Sequence, residues 1–341
     1  MIVSFAIVAY NEEKALPALF ETLKKQDYPH EKIEVLLIDS MSKDKTYKLM
    51  ESFAAEDNGF LDVKVLKNEK KNIPAGHNVA LANYTGDALV RVDAHAFVAE
   101  DFITRNVAAL NDGEMISGGQ VESILSNDTS LARTMLVAEN SVFCGGVARF
   151  RRLTKRDYVE TMAFGVYRRE VFDKVGRYNE LLPRSEDNDM NYRVRQAGFR
   201  LCCDPAIKSV RYTRSTLKGL VRQKYLNGYW IGKTIGINAN CFSLFHFVPF
   251  AFVMAIIITS VFAAFGIWQL SALMWAAYAV AVTVATLYEI IKNKFSITHL
   301  LLPVLFFLLH FCYGLGTLIG LVEMPFWLNR MKKEGMGEWL K

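Results

Sequence analysis

Asp93 and His95 stand two residues apart in Val90-Arg91-Val92-Asp93-Ala94-His95, at the end of an apolar run. A carboxylate and an imidazole so spaced can point at one ion. Hard divalent cations favour carboxylate oxygen, and magnesium commonly takes one or two carboxylates together with substrate phosphates. Imidazole moves the preference toward manganese. The same triplet alone also describes an ordinary turn with a hydrogen-bonded histidine, so its meaning depends on where the chain puts it. A second group, Arg184-Ser185-Glu186-Asp187-Asn188-Asp189, sets three acids before a helical pattern at Met190, Val194 and Ala197. Acids in a first helical turn complement the helix dipole. A carboxylate crowded by other acids also has its pKa raised, which suits it to accept a proton from a hydroxyl.

The elements that must position these groups alternate between two periods. Val3–Ala9, Ile33–Asp39, Asp62–Leu66 and Ala88–Asp93 are short apolar runs of strand length. Between them, Glu12–Gln26, Lys43–Ala55 and Ala75–Asn83 carry apolar residues at helical spacing. Strands alternating with helices predict a mostly parallel sheet covered on both faces. Ligands of such sheets bind at the carboxyl ends of the strands. Tyr10-Asn11-Glu12, Asp39-Ser40 and Asp93-Ala94-His95 should therefore gather at one edge, as a nucleotide site. The glycine fingerprints of Rossmann and P-loop sites are absent, so another device must hold a phosphate.

After residue 243 the character changes. Phe245–Ile267, Ala272–Ile291 and Leu300–Val322 are each long and apolar enough to span a bilayer, which needs about 20 residues. A cytoplasmic first domain sends the first span outward, through the uncharged link Trp268–Ser271, and the second returns to Lys292 and Lys294. A third full span would put Arg330, Lys332 and Lys333 outside, against the positive-inside rule. Either that segment is re-entrant or interfacial, or the rule fails here. Ser215–Asn240 mixes apolar and aromatic residues with Lys218, Arg222, Lys224 and Lys233, the pattern of an amphipathic helix in the membrane interface.

Of 341 residues, 52% are apolar, and the charges cluster before the spans. The net charge of +5 does not argue for nucleic acid. Arg149, Arg151, Arg152, Lys155 and Arg156 form a basic knot, and nine Lys/Arg against one acid lie between Arg193 and Lys224. Such patches suit lipid headgroups or a phosphorylated substrate. Cys144, Cys202, Cys203, Cys241 and Cys312 lack metal-ligand spacing and form no disulfide framework. Met1-Ile2-Val3-Ser4-Phe5 has no basic flank and runs into a strand pattern, which predicts a first domain that stays in the cytoplasm.

Several pieces now fall in a known order. Ala9-Tyr10-Asn11-Glu12, Ile38-Asp39-Ser40-Met41-Ser42-Lys43-Asp44-Lys45-Thr46, Pro74-Ala75-Gly76-His77-Asn78, Gly86-Asp87, Asp93-Ala94-His95 and Glu186-Asp187 resemble the motif series of glycosyltransferase family 2, the inverting GT-A transferases, over roughly residues 1–235. The stretches Phe164–Phe172, Gln223–Trp230 and His310–Gly316 look like the membrane-bound, succinoglycan-type exopolysaccharide transferases within it. The resemblance implies that Tyr10, Glu12, Asp39 and Asp44 surround the uracil and ribose of a UDP-sugar. Asp93 would face the sugar or ribose, and Asp93 and His95 would hold the metal and diphosphate. It implies Asp187 as catalytic base, with Glu186 the second choice, and Gln223, Tyr225 and Trp230 beside the acceptor or diphosphate. His95 replaces the family's second metal aspartate, which leaves Mg2+ or Mn2+ open. The Gln-x-x-Arg-Trp motif of processive synthases is absent, which argues against chain extrusion.

The resulting expectation is an α/β GT-A catalytic domain (Rossmann-like, with a mostly parallel sheet) over residues 1–213. An amphipathic interface region over 214–243, a transmembrane region of two to three helices over 244–323 and a basic tail over 324–341 follow. The expected activity is transfer of one sugar from a UDP-sugar, UDP-glucose being one candidate, to a membrane lipid-linked saccharide in exopolysaccharide or envelope glycan synthesis. The alternatives are a polyprenyl-phosphate sugar synthase and, further off, a non-catalytic subunit of a polysaccharide assembly complex. The expected partners are the donor, the lipid-linked acceptor and the inner (plasma) membrane, crossed more than once, with no nucleic acid and self-association left open.

Overall fold

The computed structural model describes residues 1–125, 127–145, 148–213 and 216–340. Arg214 and Ser215, the first residues of the expected interface region, and Lys341 lie outside them. The contacts divide the chain into two compact units, residues 1–123 with 148–212, and residues 124–147 with 213–341.

In the first unit the elements run β1 (Val3–Ala9), α1 (Leu16–Lys24), β2 (Ile33–Asp39), α2 (Thr46–Ala54), β3 (Asp62–Lys67), α3 (Ile73–Asn83), β4 (Ala88–Asp93), β5 (Ala96–Val98), α4 (Phe102–Asn111) and β6 (Ile116–Leu125). After a helix that belongs to the second unit, β7 (Asp157–Val159), β8 (Val166–Arg168), α6 (Arg169–Val175), α7 (Glu186–Gln196) and β9 (Leu201–Thr213) complete it. Among the described residues the strands make one sheet in the order β3-β2-β1-β4-β8-β6-β9-β5, with β7 on β9. The first four are parallel, as the alternation of strands with helices predicts, and the later strands pair antiparallel. The register places Ala9 opposite Asp39 and Val8 opposite Asp93, so the ends of β2 and β4 flank the end of β1.

Helix α1 begins later than the apolar period suggests. Residues 10–15 are taken by a loop that starts with Asn11 in the left-handed region, φ 56°. Helix α3 lies close over β1 because residue 76 is glycine: a Cβ there would come within 2.5 Å of Val8 Cγ1.

One buried carboxylate serves the fold alone. Glu34 on β2 is fully buried, with Lys64 Nζ 2.5 Å away and the Ser4 hydroxyl and the Thr85 amide and hydroxyl donating to it. Burial pushes its pKa up, but these partners win and hold it below the ordinary 4.5. Its stabilisation is therefore present above that value and is lost as pH falls through the lower, folded one. Glu34→Ala strands three partners, at a cost of about 2–3 kcal/mol. Denaturant unfolding of the detergent-solubilised chain should show that loss at pH 7 and a smaller one in acid; equal loss at both would remove the carboxylate's charge from the account.

The second unit is helical. It comprises α5 (Ser130–Asn140), α8 (Leu217–Asn238), α9 (Val248–Ala264), α10 (Trp268–Asn293) and α11 (Leu302–Lys333). The segments Leu244–Ala264, Trp268–Asn293 and Ile297–Lys333 are long and apolar enough to cross a membrane. Helices α8 and α11 approach backbone to backbone through glycines on both.

Candidate active site

The loops after β1 and β2 are laced together. Asn11 N–H donates to Ser42 Oγ (2.9 Å), Lys43 N–H to Asn11 Oδ1 (2.8 Å) and Glu12 N–H to Thr46 Oγ1 (2.7 Å). Asp44 accepts from Thr46 N (3.0 Å) on one oxygen and from Glu13 N (3.2 Å) on the other. Burial raises the Asp44 pKa and these donors more than offset it, so its carboxyl sits below the usual range. Asp39 is buried and accepts the Ser42 amide at 3.2 Å. Tyr10, the first residue after β1, is 48% exposed.

At the end of β4, His95 Nδ1 lies 3.1 Å from Glu12 Oε1. This joins one residue expected at the metal to one expected at the nucleotide. Among the described residues no three His, Cys, Asp or Glu side chains are grouped so as to hold a metal ion by themselves. Asp93, the last residue of β4, and His95, two positions on, are the residues of the expected metal pair.

The second acid group occupies the first turn of α7, where Glu186 and Asp187 complement the helix dipole. Arg91 reaches them from β4. Its Nη2 donates to Asp187 Oδ1 and its Nη1 lies 3.8 Å from Glu186 Oε1. Nη1 also contacts His77 Nε2 at 2.7 Å, and the guanidinium lies 5.3 Å from the centre of the Tyr178 ring. Asn78 fixes that tyrosine, donating to its carbonyl (2.9 Å) and accepting its amide (2.8 Å).

The two acids are not equivalent. The Glu186 side chain is 10% exposed, whereas 39% of the Asp187 side chain is open. Burial, then the charge of Asp187, pushes the Glu186 pKa up to about 8, against the pull of Arg91. Its Oε2 has no hydrogen-bond partner. Burial and the neighbouring charge thus favour the protonated form of Glu186. Burial and then Asp93 also raise Asp187, but Arg91 opposes them both by its charge and by its hydrogen bond. The charge of Asp93 bears on both acids, so the β4 and α7 groups share one electrostatic site.

Gln223, Tyr225 and Trp230 lie on α8 in the second unit. Gln223 Oε1 is buried without a hydrogen-bond partner. Tyr225 stacks on Tyr229 at 6.2 Å, and Trp230 meets Trp327 edge-on at 6.0 Å. Sequence reasoning missed Arg91, His77 and Tyr178 as site residues. The signal for Arg91 was present: a cation in the middle of an otherwise apolar, two-face-buried strand has to answer a charge nearby.

The curled sheet, with its acids at the strand ends, is a GT-A fold. The solved mannosyltransferase PcManGT from Pyrobaculum calidifontis, in complex with GDP-Man and Mn2+, shares it, with a TM-score of 0.61 at 18% identity over 94% of this chain and 86% of that one. The chain belongs to glycosyl transferase family 2, whose family model matches residues 4–176, and it is a glycosyltransferase. It is 26% identical, over 94% of its length and 97% of the relative's, to the dolichyl N-acetyl-alpha-D-glucosaminyl phosphate 3-beta-D-2,3-diacetamido-2,3-dideoxy-beta-D-glucuronosyltransferase of Methanococcus voltae. It is 28% identical to the succinoglycan biosynthesis protein ExoA of Rhizobium meliloti (strain 1021), over 67% of each chain. Fold class, family and enzyme class stand as the motifs implied.

Proposed function

We propose that this glycosyltransferase moves one sugar from a UDP-sugar to a saccharide carried on a membrane lipid, by a single inverting displacement with Asp187 as base. The observation that carries this reading is the Asp187 carboxylate, held on one oxygen by Arg91 while 39% of its side chain remains exposed. The acceptor of the Methanococcus voltae relative, a dolichyl N-acetylglucosaminyl phosphate by its name, supports a lipid-linked acceptor. The apolar helices of the second unit support a membrane site of action.

In this mechanism Tyr10, Glu12 and Asp39 line the nucleoside pocket, and Asp44 shapes its loop. Asp187 accepts the acceptor hydroxyl proton as that oxygen bonds to the anomeric carbon and the bond to the diphosphate breaks. Glu186, protonated beneath it, spares Asp187 a second adjacent charge. Gln223, Tyr225 and Trp230 serve the acceptor or diphosphate.

Asp93 and His95 are the residues that would hold a divalent cation. A two-residue set fits an ion that takes its remaining ligands from substrate phosphate and water. Bound there, the cation supplies Lewis-acid stabilisation of the leaving diphosphate. EDTA should stop UDP release, and Mg2+ or Mn2+ should restore it. His95→Ala should raise the half-saturating metal concentration at least about tenfold, the loss ordinarily seen even for residues that only support a ligand. An unchanged metal requirement would remove His95 from the site.

The test of the function is a panel of UDP-sugars and GDP-mannose, offered to the purified full-length chain with metal and with either a lipid diphosphate-linked saccharide or a bare lipid monophosphate. The proposal expects UDP release that needs the saccharide-bearing lipid. Turnover on the monophosphate alone would replace it with the polyprenyl-phosphate synthase reading.

A further inference from the structure

We infer that α11, although long and apolar enough to span, does not cross the bilayer, and that only the α9–α10 hairpin does, so that the carboxyl terminus lies on the same face as the first unit. This inference concerns the second unit and the bilayer and is independent of the sugar-transfer reading.

The start of α11 is pinned to α5. Thr298 donates to the Ser130 carbonyl (3.3 Å) and accepts from Thr134 (2.8 Å), Phe306 packs edge-on against Phe143 at 5.3 Å, and His310 Nε2 donates to the Phe143 carbonyl at 2.6 Å. Helix α5 has 11 residues, and the chain on both sides of residues 124–147 belongs to the first unit. Eleven residues make about 16 Å of helix, too short for a core of about 30 Å. That segment therefore leaves and re-enters the same face, and the start of α11 lies on it.

The remainder is a matter of parity. Helix α8 leaves the first unit's last strand on that same face. If α9 and α10 both cross, they return the chain to the face where α8 ended. Since residues 297–301 touch α5, α8 must end where it began. Its own residues agree: Arg222, Lys224 and Lys233 interrupt every stretch long enough to span.

Helix α11 runs parallel to α8 and in backbone contact with it. A Cβ on Gly228 would lie 2.0 Å from the Tyr313 carbonyl oxygen, one on Gly232 2.5 Å from that of Thr317, and one on Gly236 2.6 Å from Met324 Sδ. Reciprocally, Gly316 and Gly320 face the Tyr225 and Tyr229 carbonyls at 2.2 and 2.1 Å. Such glycine seams lock helices side by side. The two helices run side by side as far as Gly236 of α8 and Leu328 of α11, so the end of α11 lies within about two turns of the level at which α8 ends. Within the seam, Glu323 accepts from Tyr229 Oη (2.5 Å) and lies 3.4 Å from Lys233 Nζ, and Trp230 and Trp327 flank that lysine. An ion pair among Trp and Tyr suits the interface and would be expensive at the bilayer centre.

Burial agrees. Only 6% and 11% of the apolar windows of α9 and α10 are buried, against 44% for α11. Lys218, Arg222, Lys224, Lys292, Lys294, Arg330, Lys332 and Lys333 then share one face, opposite an uncharged turn, and the positive-inside rule holds.

The test places single exposed cysteines in the full chain by Lys25→Cys (first unit), Gln269→Cys (the first turn of α10, beside the α9–α10 link) and Glu338→Cys (after α11). A membrane-impermeant maleimide is added to spheroplasts before and after lysis. The native cysteines are buried or half-buried, and the unsubstituted chain gives their background. The expected result is that positions 25 and 338 label on one side and position 269 on the other. A carboxyl-terminal epitope tag on the unsubstituted chain, read by antibody before and after lysis, repeats the measurement at that end. Position 338 or the tag siding with position 269, or all three positions labelling alike, would overturn the inference.

Discussion

Asp187→Asn lowers transfer by about 10²–10⁴-fold, the usual share of a general base, and leaves UDP binding intact. The substitution keeps the size of the side chain and can still accept from Arg91 through its amide oxygen, so the first turn of α7 should be undisturbed. What disappears is the charge that takes the acceptor's proton. Kinetics separate the roles: a kcat loss at constant donor KM marks a group used in the reaction, whereas a parallel rise in KM would place Asp187 in donor binding. Glu186→Gln should cost much less, because a residue whose pKa lies near 8 already carries its proton at pH 7. Retained turnover in the purified Asp187→Asn protein would sink the assignment.

Arg91→Met should move the pH dependence of transfer as well as its size. Arg91 is the cation that opposes burial at both Glu186 and Asp187. Without it the Asp187 carboxyl, already raised, rises further. A larger share of the base is then protonated at any given pH, and the acidic limb of the rate profile shifts upward. Transfer should fall at pH 7 and recover in part as pH increases. Arg91→Lys keeps the charge but loses the fork that serves His77 and Asp187 together, so it should keep the wild-type limb with a lower plateau. A structural role would lower both variants evenly across pH. In the wild type, titration of Glu186 bears on stability: the folded chain holds a proton there that the unfolded carboxyl releases near 4.5, so that group's contribution declines between about 4.5 and about 8.

The parallel half of the sheet was legible because short, mostly apolar strands such as Ile33–Asp39 alternate with helical periods, the pattern of a sheet covered on both faces. Strand-end logic then placed Tyr10, Asp39 and Asp93 at a common edge, as the register of β1, β2 and β4 bears out. The later strands were not legible. β5, β7 and β8 have only three residues each, too few to show a period. The site was read through its acids, which have recognisable neighbours in sequence. Its cation was not, because Arg91 lies 96 positions from Asp187 and only the packing of β4 beside α7 brings them together. Helix α8 was read as amphipathic from its charges. Its glycines at 228 and 232 carried the unread information that another backbone lies against it.

The most direct test of the central claim is the anomeric configuration of the product. An α-linked UDP-sugar that turns over is transferred by the purified full-length chain, and the new linkage is read by the proton coupling at its anomeric carbon. A single displacement with Asp187 as base predicts a β linkage throughout. An α linkage would require a second displacement, and with it a nucleophile in place of the base assigned here.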